Sequence, residues 1–168
     1  MRCFSDGIWY DPSSPNVTPF ILDEAVSFFR PDNFSYISFE SALSRYSAIS
    51  EPIYPLTVAT EGDSGSVNTA EREIIFTHVD IPNISFLHSR LIWDPRGMRH
   101  IASPLLAWDD LQMINRNTQL VDPILLEEAI AHHPIPCPED GPMVDYFSDV
   151  DIPGAPRGRM SHVVATTS

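Results

Sequence analysis

The stretch Ile53-Tyr54-Pro55-Leu56-Thr57-Val58-Ala59-Thr60, the segment Glu61-Gly62-Asp63-Ser64-Gly65-Ser66 and the run Glu73-Ile74-Ile75-Phe76-Thr77-His78-Val79 decide how this chain is read. The first and last are short runs rich in β-branched and apolar residues, and the middle one has turn composition. Together they predict two strands, Ile53 to Thr60 and Glu73 to Val79, with a Gly/Ser/Asp hairpin turn after the first. Ile84 to Leu87 and Met98 to Ala102 are weaker strand candidates, set around a Trp93-Asp94-Pro95-Arg96-Gly97 turn.

Working outward, both flanks turn helical. Thr18-Pro19 has the form of an N-cap followed by proline at the first helical position, where its missing N–H costs nothing. It predicts a helix over 19–30, with Ile21, Ala25, Phe28 and Phe29 as the apolar stripe and Asp23 and Glu24 near its positive end. Ser38 is placed to cap a second helix over 38–47, along which Phe39, Ala42, Leu43 and Tyr46 recur. Ser103-Pro104 and Asp122-Pro123 repeat the cap-plus-proline start and open helices over 104–116 and 123–133. Helices, then strands, then helices argue for an α+β fold, a small mixed sheet packed with about four helices, over a doubly wound sheet. Ile8-Trp9-Tyr10 reads as a strand with no visible partner in the residues before it. From Pro134 onward an acidic, Pro-rich stretch lacks periodicity and reads as a tail.

The charge balance narrows the function. There are 23 acidic residues against 10 basic ones, all arginine, for a net charge of −13. Non-specific nucleic-acid affinity comes from Lys and Arg displacing counterions, so this balance opposes unaided binding to DNA and favours basic partners. A local patch from Arg90, Arg96 and Arg99 remains open to it. No apolar run has the length of a membrane span and none follows the N-terminus as a signal region, so a cytoplasmic protein is expected. Cys3 and Cys137 make no disulfide framework.

The motifs with chemical meaning are thin. Gly62-Asp63-Ser64-Gly65 resembles the nucleophile loop of trypsin-like serine proteases, but in that family the histidine and aspartate precede the serine, whereas the first histidine here is His78. His132-His133 followed by Cys137 is no closed zinc set, because no second Cys/His pair exists and adjacent helical residues point about 100° apart. Asp109-Asp110 and Glu127-Glu128 are neighbours that do not converge on a helix, and solvated faces account for them. Phosphate loops, dinucleotide fingerprints and zinc-protease helices are absent from the sequence. No catalytic residue, metal or cofactor is expected.

One arrangement is specific. Ser35-Tyr36-Ile37-Ser38-Phe39-Glu40-Ser41-Ala42-Leu43 is followed by Pro55-Leu56-Thr57-Val58-Ala59-Thr60, by Ile74-Ile75-Phe76-Thr77-His78 and by Ile101-Ala102-Ser103-Pro104-Leu105-Leu106-Ala107-Trp108-Asp109-Asp110-Leu111, with Asn115-Arg116-Asn117 beyond. This order resembles the AbiEi family, antitoxins of type IV abortive-infection systems, over roughly residues 8 to 131. The resemblance implies a domain that counteracts a nucleotidyltransferase-type toxin. It also implies an N-terminal winged helix that represses the operon, of which residues 1–12 resemble only the last wing strand. The divisions expected are thus 1–12 as that strand, 13–133 as the antitoxin domain and 134–168 as the tail. An orphaned wing strand would leave edge N–H groups to pair with another chain or with the tail.

As exposed partner contacts, charge and position nominate Glu40, Arg45, Arg90, Arg96, Arg99 and Asp110, against surface or capping roles for each. Partners expected are the cognate toxin and a second copy in a homodimer, with neither DNA for this chain alone nor a membrane. The alternatives are a co-repressor of its own operon and a hydrolase built on Ser64 and His78.

Overall fold

A computed structural model describes residues 1–5, 7–15, 17, 21–95, 97 and 99–133, and the backbone of 164–165. Along the chain come β1 (Arg2–Ser5), β2 (Ile8–Tyr10), α1 (Ile21–Phe29), β3 (Ser35–Ile37), α2 (Phe39–Arg45), β4 (Leu56–Thr60), β5 (Gly65–Asn68) and β6 (Glu73–His78). Then follow α3 (Ile84–Ser89), β7 (Leu91–Asp94), β8 (Arg99–Ala102), α4 (Pro104–Ile114), a 3-10 turn (Thr118–Leu120), α5 (Pro123–His132) and β9 (Val164–Ala165). The fold is α+β. Among the described residues five helices accompany a six-stranded mixed sheet of order β5-β6-β4-β3-β8-β7 and a three-stranded sheet of order β1-β2-β9. Among the described residues no helix is long and apolar enough to cross a membrane.

The two strands read first are neighbours, but they run parallel, with Leu56 opposite Ile74 through to Thr60 opposite His78. The hairpin expected between them is therefore absent. The Gly/Ser/Asp segment carries the chain past β6 to the sheet edge, where β5 is laid down antiparallel to β6. Every residue of β4 is buried, as suits a central strand covered on both faces.

Two helix starts match the sequence. Ser103 accepts from the Leu106 N–H at 3.3 Å, and Asp122 accepts from those of Ile124 and Leu125 at 2.8 and 3.2 Å. The Thr18-Pro19 start lies outside the described residues. Ile84 to Leu87 is corrected from strand to helix: Asn83 accepts from the Phe86 N–H at 3.1 Å and closes the first turn of α3, the standard N-cap arrangement.

The strand at Ile8–Tyr10 also finds partners. The four residues before its turn fold back as β1, and β9 pairs on its other edge, so the pairing expected from the tail occurs at Val164–Ala165. This small sheet is tied to the body by the Ala70 N–H donating to the Phe4 carbonyl at 2.8 Å and Tyr10 Oη donating to Glu71 Oε1 at 2.6 Å.

The core gathers Ile37, Phe39, Leu43, Val58, Ile74, Phe76 and Leu111, each no more than 1 % exposed. Burying side chains of this size stabilises by about 1.5–3 kcal/mol apiece. The helix α2 packs on α4 and β4, while α4 reaches α5 and β8.

Candidate functional site

At the head of α2 a connected set of polar side chains lies inside the core. Phe39 opens the helix at φ 56° while fully buried. A bulky residue in the left-handed region costs about 1–2 kcal/mol, so its surroundings hold it there. Ser38 occupies the N-cap position but makes no capping bond, because its hydroxyl donates to Asp110 Oδ2 at 2.6 Å. Tyr36 Oη donates to the same oxygen at 3.0 Å. On the other side Thr57 Oγ1 donates to the Ser38 carbonyl at 2.8 Å and accepts the Ser41 N–H at 3.0 Å. The Thr57 N–H returns to Ser41 Oγ at 2.8 Å. Glu40 receives Arg116 at 2.9 and 3.0 Å and Asn117 at 2.9 Å. Strand β4, helix α2, helix α4 and the turn after it are thus pinned to one another.

The titration of these groups follows from that burial. Burial raises Asp110 above the ordinary aspartate range, against the opposing effect of the Ser38 and Tyr36 hydroxyls and of Arg90. Burial, with Asp110 beside it, raises Tyr36. For Glu40 burial alone would raise the value, yet Arg116, a backbone N–H and Asn117 together bring it below the usual range.

A second charged set joins α1 to the sheet. Asp23 is 2 % exposed and takes a bidentate pair from Arg45 at 2.7 and 2.8 Å, with Asp94 Oδ2 3.7 Å from the same guanidinium. Arg99 Nε donates to the Asp23 carbonyl at 3.2 Å and its Nη2 donates to Ser27 Oγ. The α1 face buried here is Leu22, Asp23, Ala25 and Val26; of the expected stripe Ala25 is buried and Ile21 and Phe29 pack against the core, while Asp23, expected only near the positive end, is in the interface. Its carboxylate is satisfied by Arg45, so burial is affordable.

A third set sits where α3 meets β7 and β8. Rings of Phe34, His88, His100 and Trp93 pack edge-on or tilted, with centroids 5.0 to 5.9 Å apart. Burial, then the neighbouring His88 and Arg99, lower His100 to about 4. Arg90 donates to Asp109 and lies 5.7 Å from the centroid of the Phe86 ring.

The nominated residues can now be placed. Glu40 and Asp110 are corrected from exposed to buried, at 3 and 6 %, because each carboxylate is the acceptor at the centre of its own donor set. Arg45, Arg90 and Arg99 are half-buried and bound to Asp23, Asp109 and Ser27, so the side chains chosen as free contacts instead hold elements together. Arg96 lies outside the described residues. Arg90 lies near Asp110, and Arg99 of the Asp23 set neighbours His100 of the aromatic–histidine set, while Glu40 is held by Arg116 and Asn117. Sequence reasoning missed Asp23, Asp94 and Thr57. Asp94 and Thr57 were signalled by standing against otherwise apolar runs, whereas Asp23, beside Glu24, carried no such signal.

The two chemical alternatives take different forms. Ser64 Oγ accepts the backbone N–H of His78 at 2.8 Å, while the His78 ring meets the Gly62 carbonyl at 3.0 Å and Asp80 at 3.3 Å. Those two contacts raise the His78 pKa. His132 Nδ1 donates to the Glu128 carbonyl at 2.7 Å and the His133 ring packs on Tyr46; Cys137 lies outside the described residues. Among the described residues no three His, Cys, Asp or Glu side chains group as metal ligands. A shallow apolar groove of about 450 Å³ runs between α4 and α5, lined by Leu105, Trp108, Leu126 and Ile130. Comparison with family models finds no match, and comparisons with curated proteins and with solved structures find none either.

Proposed function

We propose that this chain is an AbiEi-like antitoxin domain of the cytoplasm that counteracts a nucleotidyltransferase-type toxin by acting on a partner and not by catalysing a reaction. One observation carries the proposal: the segments quoted for the resemblance meet in space through their polar positions. Tyr36, Ser38, Glu40 and Ser41 of the first segment bind Asp110, Arg116, Asn117 and Thr57 of the others. The Ile74–His78 segment lies against the Leu56–Thr60 strand. That meeting supports the reading, although buried polar groups of any fold take their partners from other segments of the chain.

The engagement of the arginines supports the same reading. Arg45, Arg90, Arg99 and Arg116 are bound to acceptors of the chain itself. The surface they leave is dominated by acids, which suits a basic protein partner better than a phosphate backbone. The test is growth rescue. The product of the neighbouring gene is expressed alone and together with this chain; rescue by the full chain is the expected result. A toxic neighbour that the chain fails to neutralise, or a neighbour without toxicity, sinks the proposal.

A further inference from the structure

Strand β2 is Ile8-Trp9-Tyr10, with neither a charge nor a proline, and Trp9 is 43 % exposed. One of its edges is paired by β1, from Arg2 opposite Tyr10 to Ser5 opposite Ile8. The other edge lacks the charge or proline that usually guards an exposed strand, so its composition makes it a template for pairing. What lies on it is β9, antiparallel, with Ala165 opposite Ile8 and Val164 opposite Trp9. Within the acidic, Pro-rich sequence from Pro134 onward, Val163-Val164-Ala165-Thr166-Thr167 is an uncharged run with four β-branched residues in five, the composition of a strand. The cover is slight. Two residues of ladder are set against closing the loop from His133 to Val164, whose entropy cost grows with its length. A strand held in this way opens far more readily than the six-stranded sheet.

We propose that β9 is a detachable guard on the outer edge of β2, and that the edge it vacates takes a second copy of this chain through antiparallel β2–β2 pairing. The occupant follows from the strand itself. About a two-fold axis, an antiparallel pair of identical strands is self-complementary and needs no other surface. Centred on Trp9, it sets aromatic against aromatic across the pairing. A charged partner finds no complement on Ile8-Trp9-Tyr10. Two chains that each carry a net charge of −13 repel, so the pairing is strengthened by salt. While β9 is in place, the same backbone groups are occupied and the copies stay apart.

The experiment uses the full chain, with its molar mass followed by light scattering over a concentration series at low and high salt. Wild type should keep the mass of one chain. Val164→Pro together with Ala165→Pro removes both ladder N–H groups of β9. This variant should shift towards the mass of two chains as concentration rises, and further at high salt. In dilute solution its hydrogen exchange over residues 8–10 should rise above that of wild type, with exchange over residues 56–60 unchanged. Adding Trp9→Glu sets like charges across the pairing and should return the proline variant to one chain. A proline variant that keeps the mass of one chain at every concentration and salt overturns the proposal, as does a wild type that dimerises equally. Unchanged exchange over residues 8–10 overturns β9 as the guard. A dimer that persists with Trp9→Glu overturns β2 as the pairing site.

Discussion

At the scale of single residues, four non-glycine positions among the described residues have positive φ, and they differ in what holds them. Ser47, at φ 63°, is exposed and follows the end of α2, where the Ala48 N–H returns to the Leu43 carbonyl. Glycine is favoured there because it lacks the Cβ penalty. Ser47→Gly should therefore stabilise the chain by up to about 1 kcal/mol, the left-handed penalty of about 1–2 kcal/mol less glycine's entropy cost, read as a rise in the denaturation midpoint at constant m. Phe39→Gly relieves similar strain but empties a fully buried aromatic site, and its net effect should be a loss of about 2–4 kcal/mol. Equal signs for the two substitutions would show that backbone strain at α2 is misjudged.

His100 gives a pH dependence of defined sign. Its folded pKa of about 4 lies below the ordinary 6.5, so the unfolded chain takes up a proton between these values that the folded chain refuses. Its contribution to stability is complete above pH 6.5 and is lost as pH falls towards 4. Asp110 works in the opposite sense, since its raised pKa makes folding more favourable as the carboxyl protonates. His100→Phe preserves a ring against Trp93 and Phe34 and removes the titration. Melting temperatures across pH 7 to 4 should show a shallower decline in the variant than in wild type; parallel curves would remove His100 as the cause.

At the scale of elements, α1 is attached through charge. A Cβ added at Gly97 would stand 2.5 Å from Asp23 Oδ2 and 2.8 Å from Asp23 Cβ, distances that force the Asp23–Arg45 pair to move. Gly97→Ala should cost about 1–3 kcal/mol by overpacking, and in an Asp23→Gly background it should cost much less, because the obstructing carboxylate and Cβ are both gone. A double-mutant cycle measures the difference, and additive costs would place the strain elsewhere. This coupling was hidden in the sequence, where Gly97 is a turn residue and Asp23 sits among acids at a helix start. What was legible were signals of local origin: the Ser103 and Asp122 caps, the proline positions and the β-branched runs of β4 and β6. The path of the chain between those strands was not legible, since β5 is a poor strand former, Gly-Ser-Val-Asn, that exists because β6 offers it an edge. For the same reason Ile84 to Leu87 looked like strand: three apolar residues in four decide little until the Asn83 cap is seen. Glu40 and Asp110 were read as exposed because a carboxylate can be buried wherever the fold delivers its donors from elsewhere in the chain, as Arg116 and Asn117 do for Glu40.

For the whole molecule, the balance of charge and the whereabouts of the arginines point the same way. A DNA-binding surface needs guanidinium or ammonium groups free to replace condensed counterions, and each contact contributes close to one unit of slope against salt. Here Arg90 and Arg99, two thirds of the patch that kept DNA open as a partner, are turned to Asp109, Ser27 and the Asp23 carbonyl. Turning them outward would take donors from Asp109, Ser27 and the Asp23 carbonyl and loosen α1 from the sheet. A net charge of −13 then acts against any phosphate that approaches. The chain by itself should therefore give no mobility shift with the promoter DNA of its own operon, even at about 50 mM salt, where electrostatic binding is strongest. A shift at that salt that vanishes steeply by about 200 mM would demonstrate a basic surface and revive the co-repressor. A flat null across the series removes the co-repressor and leaves the proposed antitoxin reading to be tested by growth rescue.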